Sequence, residues 1–262
     1  GTMLYSDRCL EFKTPEGLAK AVDTCEKNGI DGIVTIGGDG TFRGATDLSR
    51  LGIPCIGVPG TIDNDISATD YTVGYDTAKN TVIEMVDRLR DTCESHARCN
   101  VVEVMGRSAG YIAIDCGIAV GASGIAIPEI PFDKEKLMAD MIKHSHEGKR
   151  NFIVMVSEGM GKNFSEELTA EIEEKTGIET RLARLAHVQR GGSPSCEDRL
   201  IATQMGAKAV DLLLEGKYNL VVCYNKGKIC VEEMEYAFQL DRIVKNKATK
   251  EELDALDPSE KN

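Results

Sequence analysis

Short runs of Val, Ile and Leu recur along this chain, and between them the apolar spacing changes to the three-and-four step of a helix. "IDGIVTI", "IPCIGV", "NVVEVMG", "GIAIPE", "NFIVMVSEG", "TRLARLAHV" and "LVVCYN" read as strands. "TPEGLAKAVDTCEKNG", the stretch through Leu51, "DTAKNTVIEMVDRLRDTCES", "AGYIAIDCGIAV", "DKEKLMADMIKHSHEG", "SEELTAEIEEKTG" and "EDRLIATQMGAKAVDLLLEG" read as the helices between them. Strands that alternate with crossover helices predict an α/β fold with mostly parallel sheets. The first helix is fully punctuated: Thr14 as cap, Pro15 at the first helical position, Gly29 as stop. With 262 residues, 42% of them hydrophobic, the chain can build one large or two modest cores. It has no low-complexity linker, so lobes are expected to form by chain crossings. The charged tail "KNKATKEELDALDPSEKN" is expected to be helical and then frayed.

The charge balance removes one class of partner. A net charge of −12, from 43 acids against 31 bases, argues against a nucleic-acid surface, which needs clustered Lys and Arg. A phosphorylated small molecule needs only a local basic pocket and stays open. Nine cysteines include no CxxC pair, which reads as reduced cytosolic thiols and not as a disulfide frame or a zinc site. No apolar stretch reaches the length of a membrane span and no secretory leader is visible, so a cytoplasmic protein with no membrane partner is expected.

Ligands of such sheets bind beyond the carboxyl ends of the strands. Four strands end there in polar, glycine-marked loops, "GGDGT", "PGTIDND", "VMGRSAG" and "SEGMG", and a fifth ends in "AHVQRGGSP". In "GGDGT" (37–41) the glycines let backbone approach a phosphate, and the helix that follows offers free N–H groups and a positive dipole end. Asp39 would then be a Mg²⁺ ligand, since that ion takes one or two carboxylates plus substrate phosphates; the same turn also serves as a plain tight connection. In "PGTIDND" one carboxylate near a metal-bound nucleotide can take a proton from an attacking hydroxyl while the other orients the metal or its waters, and Thr61 can bond the phosphoryl group in transit. Arg107 follows its strand where positive charge on a migrating phosphoryl group is needed, although an arginine there is also a common surface residue. His187 and Arg190, with Arg181 upstream, suit a sugar-phosphate monoester, and Glu158 ends an apolar strand where it can accept from sugar hydroxyls.

Together "IGGDGTFRGA", "GVPGTIDNDI", "VVEVMGRSAGYIA" and "HVQRGGSPSCEDRLIA" resemble the bacterial ATP-dependent 6-phosphofructokinases, in the same order and at compatible spacings, from residue 1 to about residue 240. The resemblance implies two Rossmann-like α/β/α lobes: 1–74 with 189–239 for ATP, and 75–188 with 240–262 for fructose 6-phosphate. It implies Asp63 as the base that deprotonates the sugar 1-hydroxyl, with Thr61 and Arg107 beside it. Asp39 would hold Mg²⁺, and Gly38, Gly40 and Thr41 would cradle ATP with Arg8 and Cys9. Thr61, Asp63, Met105, Gly106, Arg107, Glu158, His187 and Arg190 would bind fructose 6-phosphate. Arg98 and Arg181 would reach the 6-phosphate in a neighbouring subunit, within a homotetramer whose active sites are shared.

The departures are informative too. The family begins with a strand and a glycine-rich phosphate loop that have no counterpart ahead of "GTMLYSDRC", so an N-terminally incomplete chain is expected. At the effector site, for ADP or phosphoenolpyruvate, Arg90, Gly121 and Lys149 fit, but Ser123 replaces a usual glutamate and Glu147 a usual lysine. Pyrophosphate-dependent relatives place Asp and Lys where this chain has Gly40 and Gly60, which favours ATP as donor. A lipid or NAD kinase would explain "GGDGT" but not "TIDND" or "HVQRGG". A noncatalytic sugar-phosphate-binding paralogue would have lost Asp63 or Arg107, and both are present.

Overall fold

The structure, a computed structural model, describes residues 5–7 and 9–237. It forms two compact units. A central unit holds Ile62–Asp65 and Gly74–Asp198; a terminal unit holds the described residues up to Thr61, Ile66–Val73, and those from Arg199 onward. The charged tail and Arg8 lie outside the described residues.

In the terminal unit β1 (Ile33–Gly37), β2 (Cys55–Pro59) and β7 (Leu220–Asn225) run parallel, and β8 (Lys228–Glu233) joins β7 antiparallel at the edge. β2 is buried along its whole length because helices cover both sheet faces. On one face α1 (Pro15–Lys27) and α2 (Asp39–Arg50) bring Cys25, Phe42 and Leu48 against Cys55 and Val221. On the other, α7 (Cys196–Leu214) brings Ile201, Met205 and Leu212 against Ile56, Val58 and Val222. Thr14 caps α1 as its position foretells, its side chain accepting from the Gly17 N–H at 3.1 Å. β8 is an element that hydrophobic runs alone pass over. Its turn is Lys226–Gly227, with φ of 51° and 77°, the pair of left-handed residues a two-residue hairpin of matching twist needs.

The central unit has a wholly parallel sheet in the order β4-β5-β3-β6, built from β3 (Cys99–Val104), β4 (Gly124–Ala126), β5 (Phe152–Ser157) and β6 (Thr180–Arg184). α5 (Lys134–His146) and α6 (Phe164–Thr176) pack Leu137, Met141, Leu168 and Ile172 on Val101, Val154 and Val156. α3 (Tyr75–His96) and α4 (Tyr111–Ala119) pack against β3, β4 and β5 as well. α3 has no local cap. Asp198, 2% exposed, accepts from the N–H groups of Gly74 and Thr77 at 2.7 and 2.8 Å and from the Thr77 hydroxyl. A carboxylate from more than a hundred residues downstream thus meets the dipole at the start of this helix.

Two strands are shorter than their apolar runs. β4 stops before Pro128, which has no N–H to donate. β6 ends at Arg184; Ala186 turns to φ 44°, and Ala186–Arg190 forms a short 3-10 helix. His187 therefore stands on a helical turn and not on a strand.

Candidate active site

β1 and β2 end side by side, Gly37 opposite Pro59, and the Gly60 N–H donates to the Gly37 carbonyl at 2.9 Å. This register puts the two glycine-marked loops in contact: a Cβ on Gly38 would come to 3.9 Å of the Thr61 Cβ. Gly38 is the N-cap of α2 and supplies no side-chain cap; the Thr41 N–H turns back to the Gly38 carbonyl at 3.0 Å, and the Asp39 and Gly40 N–H groups open the helix. Gly38, Asp39, Gly40 and Thr41 thus share one helix start. Cys9, the other expected nucleotide contact, is exposed. Asp39 is held by Arg43 one turn along, Nε to Oδ1 at 3.2 Å and Nη2 to Oδ2 at 3.1 Å. Among the described residues no group of three His, Cys, Asp or Glu is spaced to hold a metal ion. One carboxylate at a helix start fits a Mg²⁺ that arrives on nucleotide phosphates, and does not fit a protein cage.

The chain crosses from the terminal to the central unit between Thr61 and Ile62. The Thr61 carbonyl is fixed by the Thr72 hydroxyl at 2.6 Å. Asp63 is only 6% exposed. The Arg107 Nε lies 3.1 Å from its Oδ2, and Arg107 Nη1 lies 4.0 Å from Asp65. The alternating carboxylates of "TIDND" therefore share one guanidinium, and that guanidinium is 64% exposed while Asp63 is buried.

Arg107 is held from below. Its own φ is 54° and that of Gly106 is 149°, a strained turn for a side-chain-bearing residue. Glu158, directly after β5, accepts from the Gly106 and Arg107 N–H groups with one oxygen, at 3.1 and 2.8 Å. The Ser157 hydroxyl donates to the Ala109 carbonyl at 3.0 Å. A Cβ on Gly159 would stand 2.7 Å from the Arg107 carbonyl, so the loop rests directly on glycine backbone. Gln189, on the 3-10 turn between the exposed His187 and Arg190, accepts from the Met105 N–H at 2.9 Å. Met105, Gly106, Arg107, Glu158, His187 and Arg190 thus gather at the carboxyl edge of the central sheet.

Arg98 and Arg181 do not join them. They flank Glu179 at the amino ends of β3 and β6, Arg98 at 2.6 Å and Arg181 in direct contact. The Arg98 guanidinium holds the Glu179 carboxyl below the ordinary glutamate range. Six strand residues at roughly 3.3 Å each put about 20 Å of β3 between Arg98 and the Arg107 loop. The expected effector residues form a third cluster. Arg90 donates to the Val120 carbonyl, next to Gly121, and to Asn151; Lys149 Nζ lies 3.4 Å from the Ser123 hydroxyl; Glu147 follows the last turn of α5. Gln189 and Ser157 escape sequence reasoning because their partners are backbone groups. The one signal for Gln189 is its place inside "HVQRGG".

Residues 1–213 match the phosphofructokinase family. Similar curated proteins include the ATP-dependent 6-phosphofructokinase of Bacillus pumilus, 54% identical over 217 residues, covering 83% of this chain and 67% of that protein. ATP-dependent 6-phosphofructokinase 1 of Clostridium perfringens is 49% identical over 242 residues, covering 92% and 75%. Among solved structures, phosphofructokinase from Saccharomyces cerevisiae superposes with a TM-score of 0.85 at 31% identity, over 98% of this chain but 39% of that one. The pyrophosphate-dependent phosphofructokinase from Marinobacter aquaeolei gives 0.74 at 26% identity, over 89% and 65%. This chain thus spans well under half of the yeast protein, and two thirds to three quarters of these bacterial relatives. With the match covering most of its length, and the phosphate loop, the paired aspartates and the arginine on their edges, the chain belongs to the phosphofructokinase family.

Proposed function

We propose that the protein carrying this chain transfers the γ-phosphoryl group of ATP to the 1-hydroxyl of fructose 6-phosphate, giving fructose 1,6-bisphosphate. The observation that carries this is the buried Asp63 carboxylate 3.1 Å from the Arg107 guanidinium, two residues from a Thr61 that adjoins the "GGDGT" helix start. Asp63 accepts the proton of the 1-hydroxyl as that oxygen attacks. Arg107, mostly exposed, shifts toward the migrating phosphoryl group and offsets the charge spread over its oxygens. Thr61 donates to the same group. The amides that open α2 and the Thr41 hydroxyl seat the nucleotide phosphates, and Arg8 and Cys9 are assigned to the same nucleotide. Asp39 would hold Mg²⁺, which neutralises nucleotide phosphate charge when bound. Met105 to Arg107 and Glu158 shape the sugar site, and His187 and Arg190 supply cations for its phosphate. The terminal unit then serves ATP and the central unit the sugar phosphate, in a cytoplasmic glycolytic enzyme.

Arg98 and Arg181 lie at the wrong end of their own sheet for this site. Their place supports a homotetramer in which they reach a neighbour's 6-phosphate. At the effector cluster Arg90 and Lys149 keep positive charge, while Glu147 adds negative charge and Ser123 offers no carboxylate for a metal on the effector phosphates. ADP therefore binds weakly there, and Ser123→Glu with Glu147→Lys should tighten it; unchanged ADP affinity in that variant would count against the cluster.

The donor follows from two glycines. A Cβ on Gly40 would meet nothing within 4 Å, while one on Gly60 would stand 2.8 Å from Ile36 Cγ2. Open space at Gly40 leaves room for a donor larger than pyrophosphate. Assaying the complete protein with each donor tests this. Turnover with ATP and none with pyrophosphate is expected, and faster turnover with pyrophosphate would overturn the choice.

A further inference from the structure

We propose that Gln189 is a positioning residue for Arg107, holding the Met105–Arg107 turn by replacing a missing strand hydrogen bond. The inference deepens the function proposed above and rests on it for its kinetic consequence.

β3 and β6 pair in parallel up to Glu103 opposite Arg184, and the Leu185 N–H still donates to the Glu103 carbonyl at 3.1 Å. In a parallel ladder the next bond would run from the Met105 N–H to the Leu185 carbonyl. Leu185 prevents this: its backbone turns helical (φ −76°, ψ −35°) to open the 3-10 helix, and its carbonyl accepts from the Val188 N–H at 3.3 Å instead. The Gln189 side chain returns from that helix, and its Oε1 takes the Met105 N–H at 2.9 Å. The ladder is thereby extended by one rung, made by a side chain. Beyond it, Glu158 takes the next two N–H groups, and the chain delivers Arg107 to Asp63.

The other end of the amide supports the same reading. Gln189 is 1% exposed, and its Nε2 is buried with no hydrogen-bond partner among the described residues. A buried unpaired donor is destabilising, so an apolar side chain of similar shape would serve stability better. What a glutamine adds here is the acceptor. Because Gln189 sits between His187 and Arg190, it also ties the proposed phosphate-binding turn to the turn that carries Arg107.

Hydrogen exchange and steady-state kinetics on the complete protein test this. In the parent, the Met105 amide should exchange with solvent as slowly as the β3 amides although it lies outside the strand. Gln189→Met, similar in length without an acceptor, should speed exchange at 105–107 and leave β3 unchanged. It should lower kcat about 10- to 100-fold with a smaller change in KM, because a misplacement near 1 Å is enough for such a loss. Gln189→Glu keeps an acceptor oxygen and should recover part of the loss. A rapidly exchanging Met105 amide in the parent would overturn the proposal whether or not the variants fold, as would parental kcat in Gln189→Met. Slow exchange lost in Gln189→Met, in a parent that does not use ATP and fructose 6-phosphate, would instead uphold the tether and reject the function it was assigned to serve.

Discussion

A buried carboxylate beside a half-exposed guanidinium is an asymmetric pair: Asp63 is fixed by its surroundings, while Arg107 can leave without a large desolvation change. That suits a base that must stay in place and a cation that must follow migrating charge. In the thiols burial is the largest effect. Burial pushes Cys99 and Cys116 up to about 12, so they are neutral at physiological pH. Cys9 and Cys196 are exposed, and Cys230 is half-buried. An aromatic disulfide reagent should therefore titrate two thiols quickly in the folded chain and all nine after unfolding; fast reaction of five or more would contradict this packing. At this scale the places of Asp39, Thr61, Asp63 and Arg107, at polar loops or helix starts that follow strands, were legible in the sequence. Gln189 was not, because nothing in a one-dimensional pattern says that its partner is the backbone of Met105.

Elements were legible where a period or a cap marks them. The Thr14–Pro15 start of α1 and the β-branched runs of β2, β3 and β5 are such cases. The errors came where tertiary partners or turn chemistry decide. β6 ends early because Leu185 turns helical, and β8 depends on the Lys226–Gly227 hairpin; α3 was legible to within a residue at each end, although its start is completed by Asp198. α3 also illustrates a pH effect. Burial first, then the Asp115 carboxylate at 2.8 Å from its hydroxyl, raise the Tyr75 pKa far above the ordinary phenol value. For Tyr75, Cys99 and Cys116 the folded pKa exceeds the unfolded one, so their stabilisation is complete below the unfolded pKa and is lost as pH rises above it. The contribution of these groups should be constant near neutral pH and fall from about 8.5 up to about 12, starting from ordinary Cys and Tyr values near 8.5 and 10. Tyr75→Phe should flatten part of that fall. A melting temperature that rises through this window would contradict the assignment.

At the scale of the molecule, the proposed sharing of sites can be tested by mixing copies. Arg181 and Asp63 are on one chain yet are assigned to different sites. Asp63→Asn and Arg181→Ala subunits, each inactive alone, should recover activity when co-assembled, because some interfaces would join an intact Asp63 to an intact Arg181. No recovery in verified mixed oligomers would mean that the sites are not shared. The central claim, that Asp63 is the general base for phosphoryl transfer from ATP to fructose 6-phosphate, is tested most directly by the turnover of Asp63→Asn in the complete protein. The account predicts a fall of roughly 10²- to 10⁴-fold, the worth of general base catalysis, with fructose 6-phosphate binding nearly unchanged; a variant keeping more than about half the parental turnover would contradict it, since so small a loss is far below that range.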